Sequence, residues 1–414
     1  MISLEEARSR AAGHSAELPG GKIVVIVPDA TRSGTDYVGA IVKGIYDQVA
    51  PRATSFTVLI ALGTHAAMPE EKIYATFGFT PEEHKQSFPK LEWANHEWRD
   101  ADKLTKVGHF TREDMLRISG NRFDLADVRH PDGFAIEVNY RVPDADAVVI
   151  VGPVLNHEVV GKSGGNKYFY PGVSGAKGTQ FTHWLGACIT LPHIIGFQST
   201  PVRDAIDFMA SFIKKPVKRC AALVLDGKKL ADLCWGTPES AHAAAADQID
   251  QYQTKFVAKP YKTVVAVLSS KYPEIWTGGK GSYKLQGIVA DGGSLILYAP
   301  HLDSVSASWG EQIEQVGYHC LPYVQAHLSE YLDAGIPLGV LAHVTHVMGV
   351  GTYEKGVEKL RINLSLASKL TPERCRAINL NYIDPERFDV EAYRGAPDTL
   401  VVDDAGEVLY KLGA

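Results

Sequence analysis

Three histidines that lie beside glycine or small residues are the first candidates for chemistry. They are His65, His157 and His183. An imidazole can take up or release a proton near neutral pH, and it is also a common metal ligand. Two histidines on opposite sides of a substrate would suit a racemase, which must act on either enantiomer. His193 and His343 lie in apolar runs, and we interpret them as packed, hydrogen-bonded core residues.

A glycine-rich stretch at residues 161–167, with the sequence GKSGGNK, carries two lysines. It resembles the second half of the Walker pattern G-x-x-x-x-G-K-[ST], but Asn156 stands where the first glycine belongs. Successive unhindered backbone N–H groups can form a nest that binds an anion. The stretch therefore predicts a phosphate site. A nucleotide-dependent dehydrogenase or kinase that uses this loop is the alternative interpretation.

Two cations in separate predicted loops complete the set. Arg32 follows "DAT", and Lys280 follows "TGG". Arginine binds a carboxylate or phosphate through a bidentate fork, and lysine binds it as a point charge. The pair suits a small anionic substrate together with a phosphorylated cofactor, and the alternative is two ordinary surface cations.

The elements that must position these residues are short, continuous runs rich in Val and Ile. Such runs suit parallel strands that are covered on both faces. The predicted strands are 22–27, 56–62, 146–152, 263–270, 294–300 and 337–344. Asp29, His65 and His157 follow the first three of these runs. In open α/β sheets, ligands bind beyond the carboxyl ends of the strands, so these residues should share one edge.

The length of 414 residues suits two domains. We predict an α/β fold with two domains, largely parallel sheets and the active site in the interdomain cleft. The N-terminal domain spans residues 1–258, binds the cofactor and is joined by the tail 398–414, and the C-terminal domain spans residues 259–397. We also predict a hairpin over residues 221–236 and a strand pair within the tail, across Ala405–Gly406.

Composition excludes several function classes. A formal net charge of −6 gives no basic surface for nucleic acid. The five cysteines are scattered without a C-x-x-C pair, which favours a reducing compartment. The N-terminus is acidic and polar, unlike a signal peptide, and no run of about 18 apolar residues predicts a membrane span. We expect a cytoplasmic protein.

Taken together and in order, these motifs resemble the nickel-dependent lactate racemase family. They are "DATR" at 29–32, "GTH" ending at His65, "NHEVVGKSGGNK" ending at Lys167, "PGVSG", "FTHW" with His183, and "IWTGGKG" with Lys280. The C-terminal "RINLSLASKL" and "ERCRAINLNYIDP" add to the likeness, which covers nearly the whole chain.

The resemblance implies a nickel-pincer nucleotide, a pyridinium-3,5-bisthiocarboxylic acid mononucleotide that holds nickel. Lys167 would be its covalent tether and His183 the protein ligand of the nickel. Ser163, Gly164 and Gly165 would line its phosphate through backbone N–H groups. Maturation enzymes encoded elsewhere would build and attach it.

The same resemblance implies an isomerase, a racemase or epimerase of a 2-hydroxy acid. His65 and His157 would be the acid and base that flank the substrate while hydride passes reversibly to the cofactor. Arg32 and Lys280 would hold the substrate carboxylate or help order the site, and Asp29 would orient one of them or a histidine. Asp29 and Arg32 would also belong to the cofactor-binding residues. A further alternative is a protein that carries the cofactor without catalysis. Such a protein would need neither His65 nor His157.

The predicted substrate region departs from the family pattern. Trp276 and Thr277 stand where the lactate racemases have a tyrosine and a longer amide. The sequence "HAAM" after His65 lacks a basic residue that is often found there. We therefore expect a substrate that is larger or more polar than lactate, such as a sugar acid, malate or an aromatic hydroxy acid.

Overall fold

The computed structural model describes residues 1–413 and divides them into two compact units. The first unit comprises Met1–Leu155, Lys162–Thr182 and Pro201–Tyr252. The second comprises Asn156–Gly161, His183–Thr200 and the chain from Gln253 onward. Each unit is built around its own sheet.

The elements alternate between strands and helices along the chain. The strands are β1 (Gly21–Pro28), β2 (Ala53–Ala61), β3 (Leu91–Asn95), β4 (Leu104–Phe110), β5 (Phe134–Asn139), β6 (Ala147–Pro153), β7 (Asn156–His157), β8 (Gly161–Lys162), β9 (Val217–Asp226), β10 (Lys229–Gly236), β11 (Thr254–Val257), β12 (Tyr261–Val267), β13 (Val289–Ala299), β14 (Gly351–Glu354), β15 (Val357–Leu360), β16 (Asn363–Ser368), β17 (Asn381–Ile383), β18 (Thr399–Val402) and β19 (Leu409–Leu412). The α-helices are α1 (Leu4–His14), α2 (Thr35–Val49), α3 (Glu70–Phe77), α4 (Pro81–Ser87), α5 (Arg112–Ser119), α6 (Arg141–Asp144), α7 (Ala176–Ile189), α8 (Pro201–Ala210), α9 (Pro238–Gln253), α10 (Ile275–Gly278), α11 (Lys280–Tyr283), α12 (Gly310–Val316), α13 (Leu321–Ala326), α14 (Leu328–Asp333), α15 (Leu338–Met348) and α16 (Pro372–Ala377). Short 3-10 helices are Ser15–Glu17, Ala101–Lys103, Leu125–Val128, Gly165–Tyr168, Leu191–His193, Gln286–Ile288 and Glu391–Tyr393.

The first unit contains a six-stranded sheet in the order β10-β9-β6-β1-β2-β3. All its pairs are parallel except β9 with β10, which form the predicted hairpin. The central strand β1 is buried from Ile23 to Pro28, as expected of a strand covered on both faces. Burying each large aliphatic side chain there contributes about 1.5–3 kcal/mol. A separate antiparallel pair, β4 with β5, extends this unit.

The second unit contains a parallel five-stranded sheet in the order β17-β16-β13-β12-β18. Two-stranded pairs join β11 to β19 and β14 to β15. The largely parallel α/β architecture predicted from the sequence is therefore confirmed.

Two predictions about the tail 398–414 are wrong. Its strands do not pair with each other, because β18 hydrogen-bonds to β12 and β19 hydrogen-bonds to β11. Both partners belong to the second unit, so the tail completes that unit rather than joining the N-terminal domain. Each tail strand extends a sheet edge, which satisfies backbone groups that would otherwise need water.

The predicted strand at 337–344 is also wrong, because this run forms α15. Every residue of α15 from Val340 to Met348 is buried. A helix that is buried all round lacks the solvent-facing polar stripe that reveals a 3.6-residue period, so its Val- and Leu-rich sequence looks like a buried strand. Within residues 1–413, no helix combines the length and the apolar character needed to cross a bilayer.

Candidate active site

Asp29 and His65 meet at the carboxyl edge of the first sheet. Asp29 directly follows β1, and His65 lies in the turn after the neighbouring parallel strand β2, where its backbone N–H donates to the Leu62 carbonyl at 2.9 Å. His65 Nδ1 lies 2.6 Å from Asp29 Oδ2. The Asp29 side chain is only 8% exposed, whereas that of His65 is 51% exposed. The pair therefore combines a buried carboxylate with an imidazole that solutes can reach.

The charge of Asp29 is held by its neighbours. Burial alone would raise its pKa, but the hydrogen bond and charge of His65, the charge of Arg32 and a hydrogen bond from Thr31 outweigh burial. They hold the pKa of this carboxyl well below its usual range. The Thr31 hydroxyl donates to Asp29 Oδ1 at 2.5 Å and its backbone N–H at 3.0 Å. An ionised Asp29 accepts the Nδ1 proton of His65, which leaves Nε2 with its lone pair.

The loop from Ser163 to Lys167 has a shape that only glycine permits. Gly164 has φ +92° and Gly165 has φ +57°. A Cβ atom on Gly164 would lie 2.8 Å from Val154 Cγ2, and one on Gly165 would lie 2.9 Å from the Pro238 carbonyl oxygen. A side chain at either position would therefore clash, and the backbone conformation would be strained as well.

Two of the three predicted phosphate donors are already engaged. The Ser163 backbone N–H donates to the Leu155 carbonyl at 2.8 Å. The Gly165 backbone forms a hydrogen bond with the thiol of Cys220. The loop is therefore packed against its neighbours, and a phosphate-binding role of Ser163, Gly164 and Gly165 stays a prediction.

The two lysines of the loop differ in their surroundings. Lys162 is buried and its Nζ donates to the Ala246 carbonyl at 2.7 Å and to Asp250 Oδ2 at 2.8 Å. Lys167 lies on the 3-10 helix Gly165–Tyr168 and is partly exposed, although its neighbours on both sides are buried. A Walker loop leads directly into a helix and aims its lysine at phosphate. Neither feature is present here, so the dehydrogenase or kinase alternative gains no support.

Arg203 is a buried cation that donates hydrogen bonds to backbone carbonyls of the glycine-rich loop. Its Nη2 donates to the Lys162 carbonyl at 2.7 Å, and its Nη1 donates to the Gly164 carbonyl at 3.2 Å. His242 lies against the same Lys162 carbonyl, and desolvation, with the charge of Arg203, lowers its pKa to about 3. His242 is therefore neutral and adds no second charge beside the guanidinium.

Asn166 fixes the turn that presents Lys167. Its Nδ2 donates to Asp207 Oδ1 at 3.0 Å and to Glu239 Oε1 at 2.7 Å. Sequence reasoning missed Arg203, His242 and Asn166. Arg203 and His242 lie about 40 and 80 positions from the loop that they contact, and no motif links them to it.

In the second unit, His157 is 7% exposed and lies on β7. The Val159 backbone N–H donates to His157 Nδ1 at 3.1 Å, and Glu158 Oε2 lies 3.5 Å from the same atom. The side chain of Asn156 holds β7 through the Gln253 carbonyl and the Thr254 hydroxyl. Since Nδ1 accepts a hydrogen bond, the neutral ring carries its proton on Nε2. In His65, by contrast, the proton lies on Nδ1, which faces Asp29.

His183 also belongs to the second unit. It lies on α7 and is partly exposed between buried neighbours, Thr182 and Trp184. It lies close enough to His343 and His346 of α15 to help lower the pKa of both rings, although desolvation is the largest cause. The interpretation of His343 as a packed core residue is confirmed, because Tyr283 and Tyr318 hydroxyls lie 2.9 and 3.2 Å from its two ring nitrogens. The same interpretation is wrong for His193, which is exposed at the end of a short 3-10 helix.

The predicted substrate residues of the second unit are α10 and α11 residues. The Trp276 ring lies 4.1 Å from the His343 ring, centroid to centroid. Thr277 Oγ1 donates to the Glu274 carbonyl at 3.2 Å, and Lys280 Nζ lies 5.4 Å from the centre of the Tyr272 ring. The structure thus brings Asp29, Arg32 and His65 together in the first unit and places His157, His183, Trp276, Thr277 and Lys280 in the second.

The chain is similar to known lactate racemases. Residues 4–128 and 124–190 match the profile described as lactate racemase N-terminal domain. A curated lactate racemase from Thermoanaerobacterium thermosaccharolyticum is 24% identical over 296 residues, which is 68% of this chain and 60% of that protein. Residues 4–190 are therefore similar to the N-terminal domain of the lactate racemases. The match of this chain spans less than two thirds of the length of the curated relative.

Two solved structures share the fold of this chain. A crystal structure of a Thermotoga maritima protein has a TM-score of 0.85 and 27% identity, and the match covers 99% of this chain and 98% of that one. The lactate racemase apoprotein from T. thermosaccharolyticum has a TM-score of 0.71 and 18% identity, with 99% and 93% covered. The second likeness shows a shared fold.

The chemistry of His183 and Lys167 fits a metal that arrives with its own ligands. Within residues 1–413, no group of three or more His, Cys, Asp or Glu side chains could hold a metal ion. His183 and Lys167 are each partly exposed between buried neighbours. A cofactor that supplies its own sulfur donors needs only such a ligand and such a tether.

Proposed function

We propose that the protein is a racemase or epimerase that inverts C2 of a 2-hydroxy acid with His65 and His157 as its acid and base. The observation that carries this proposal is the Asp29–His65 pair. It places a reachable imidazole on a buried, ionised carboxylate at the carboxyl edge of a parallel sheet. The similarity of residues 4–190 to the lactate racemase N-terminal domain, and of the chain to a curated lactate racemase, supports the same reaction class.

His65 would act first as the base in one direction of the reaction. Asp29 holds the Nδ1 proton, so Nε2 can accept the proton of the C2 hydroxyl. The carboxylate then stabilises the imidazolium that forms, because a buried opposite charge favours the charged ring. Asp29 is in this scheme a positioning residue.

His157 would perform the complementary step on the other side of the substrate. Its Nδ1 accepts the Val159 N–H, so the neutral ring carries hydrogen on Nε2 and can donate a hydrogen bond to the C2 oxygen. His157 would give up a proton only as the imidazolium, because a neutral imidazole is too weak an acid to do so. Each histidine would therefore be the base for one enantiomer and, once protonated, the acid for the other.

The proposed cofactor is a nickel-pincer nucleotide attached to Lys167, with His183 as the nickel ligand and Ser163, Gly164 and Gly165 around its phosphate. When bound, this cofactor supplies a reversible acceptor for the hydride of C2. The position of Lys167, a partly exposed residue on a turn fixed by Asn166, supports the tether. Attachment would require maturation enzymes as partners.

Arg32 and Lys280 are the proposed clamps for the substrate carboxylate, and Trp276 and Thr277 are proposed to contact the rest of the substrate. The charge of Arg32 already acts on one carboxylate, because it helps lower the pKa of Asp29. We propose a substrate larger or more polar than lactate, from the classes of sugar acids, malate and aromatic hydroxy acids. All five cysteines are free, which supports a reducing compartment such as the cytoplasm.

The test is co-expression with a pincer-cofactor pathway, followed by intact mass, nickel content and racemisation of single enantiomers of several 2-hydroxy acids. We expect a cofactor-sized mass increase that a Lys167→Ala variant lacks, and racemisation that His65→Asn abolishes. Lys177→Ala, at an exposed lysine, is the matched control and should load normally. A loaded protein that racemises no 2-hydroxy acid would overturn the proposal.

A further inference from the structure

The second unit contains a small cavity that the proposed mechanism does not use. Its volume is about 120 Å³. Ala187 and Leu191 line it from the end of α7 and the following 3-10 helix, Leu321 and Pro322 from the start of α13, and His346 from α15. Among the described residues that line it, none is Asp, Glu, Lys or Arg. The walls are therefore mostly apolar and uncharged.

His346 supplies an unpaired polar atom at this cavity. The residue is 3% exposed, and its Nε2 is buried with no hydrogen-bond partner. By contrast, both ring nitrogens of His343, one turn earlier, have tyrosine partners. Desolvation lowers the pKa of His346 to about 4, so its ring is neutral at neutral pH. A buried polar atom without a partner is costly, and a ligand group that pairs with it would recover that cost.

Thr190 adds a second unusual feature to the same wall. It lines the cavity with φ +73° and ψ +147°. A β-branched residue rarely adopts positive φ, and such strain concentrates at ligand sites. The strained backbone at Thr190 and the unpaired His346 thus occur at one cavity.

The cavity lies close to the proposed nickel ligand. Ala187 follows His183 by four residues on α7, so the two share a face and lie about 6 Å apart along the helix axis. Trp276, the proposed substrate contact, packs on His343, one turn before His346 on α15. The cavity therefore lies near two residues of the proposed active site, His183 and Trp276.

We propose that this cavity receives the side chain of the 2-hydroxy acid, and that this side chain is an aromatic ring with a single hydroxyl that pairs with His346 Nε2. The inference rests on the proposed function and narrows its substrate class. At about 120 Å³ the cavity is somewhat smaller than the apolar cavity of about 150 Å³ that admits benzene, so it has room for no more than one ring, part of which would lie at its mouth. A hydroxyl can donate or accept, so it pairs with either tautomer of a neutral imidazole.

The other two substrate classes fit the cavity less well. The second carboxylate of malate would enter an uncharged, apolar space without a cation to pair with it. A sugar acid would bury several hydroxyls against walls that offer few partners. Of the three proposed classes, the hydroxyaryl acid leaves the fewest polar groups unpaired.

The experiment compares four acids on the cofactor-loaded protein: 3-(4-hydroxyphenyl)lactate, 3-phenyllactate, malate and gluconate. Calorimetry gives Kd, and racemisation gives kcat/KM. We expect the hydroxyphenyl acid to bind tightest, about fivefold tighter than phenyllactate, which corresponds to one hydrogen bond. His346→Leu should remove this preference and leave phenyllactate binding unchanged.

Two further variants separate the cavity from general effects on the fold. Ala187→Leu adds methyl groups to the cavity wall and should weaken binding of both aromatic acids about tenfold or more, while thermal unfolding checks that the variant folds. His193→Leu makes the same chemical change as His346→Leu at an exposed site and should alter neither ratio.

The outcomes distinguish this inference from the proposed function. A higher kcat/KM for malate or gluconate would overturn the inference and leave the racemase proposal standing. A hydroxyphenyl preference that survives His346→Leu would also overturn it. Racemisation of none of the four acids, together with none of any other 2-hydroxy acid, would overturn both.

Discussion

At the scale of single residues, Asp29 decides which nitrogen of His65 can act as a base. We expect Asp29→Asn to lower kcat by roughly 10²–10⁴-fold, because the amide no longer enforces the Nδ1 proton and cannot stabilise an imidazolium. KM should change little, since Asp29 is buried behind the histidine. Steady-state racemisation checks this expectation. Asp303→Asn, at an exposed aspartate, is the matched control, and an equal loss there would contradict the positioning role.

The same aspartate links stability to pH. Its pKa is depressed in the folded protein, so its contribution is fully present above its unfolded pKa of about 4 and is lost as the pH falls through the folded value. We expect wild type to exceed Asp29→Asn in free energy of unfolding by about 1.5–3 kcal/mol at pH 7. This difference should shrink steadily below about pH 4.

Urea titrations of both proteins at several pH values measure this difference. Asp303→Asn again serves as the reference, because its carboxylate is exposed and should contribute little. A difference between wild type and Asp29→Asn that grew as the pH fell would reverse the sign and contradict the assignment.

At the scale of elements, the loop before Lys167 depends on its glycines. Gly164→Ala should lower the free energy of unfolding by about 2–4 kcal/mol, because positive φ and a Cβ 2.8 Å from Val154 Cγ2 add strain and overpacking. Urea unfolding gives the value. Gly13→Ala is the control, since Gly13 is helical and exposed with open space around it, and this change should stabilise by about 0.5–1 kcal/mol. If both changes altered the free energy of unfolding by the same amount, the loop at Gly164 would not be as tightly packed as the structure indicates.

Elements also show where sequence reasoning works and where it fails. Asp29 and His65 were predictable as neighbours because each follows a Val- and Ile-rich strand, and adjacent parallel strands end at one edge. The apolar run of α15 was not, because a fully buried helix lacks a polar face. Arg203 and His242 were not predictable either, since their contacts to the loop cross about 40 and 80 residues. The engaged N–H of Ser163 depends on Leu155, which no glycine pattern reveals.

At the scale of the whole molecule, the proposed roles are divided between the two units. Lys167 belongs to the first unit, and His183 belongs to the second. The proposal assigns them different tasks, because a lysine amine forms the covalent bond and an imidazole binds the metal. Tethering and metal retention should therefore be separable by mutation in the full-length, cofactor-loaded protein.

We expect His183→Asn to keep the cofactor-sized mass increase on Lys167 while its nickel content falls from about one per chain to a small fraction, because the only protein donor proposed for the metal is lost. Intact mass spectrometry and metal analysis of the same purified sample measure the two quantities. His193→Asn, at an exposed histidine that follows the same helix, should retain both. If His183→Asn retained full nickel, a different residue would have to be the ligand. If it lost the mass increase instead, His183 would be needed for attachment itself, and the division of tasks between the two units would not hold.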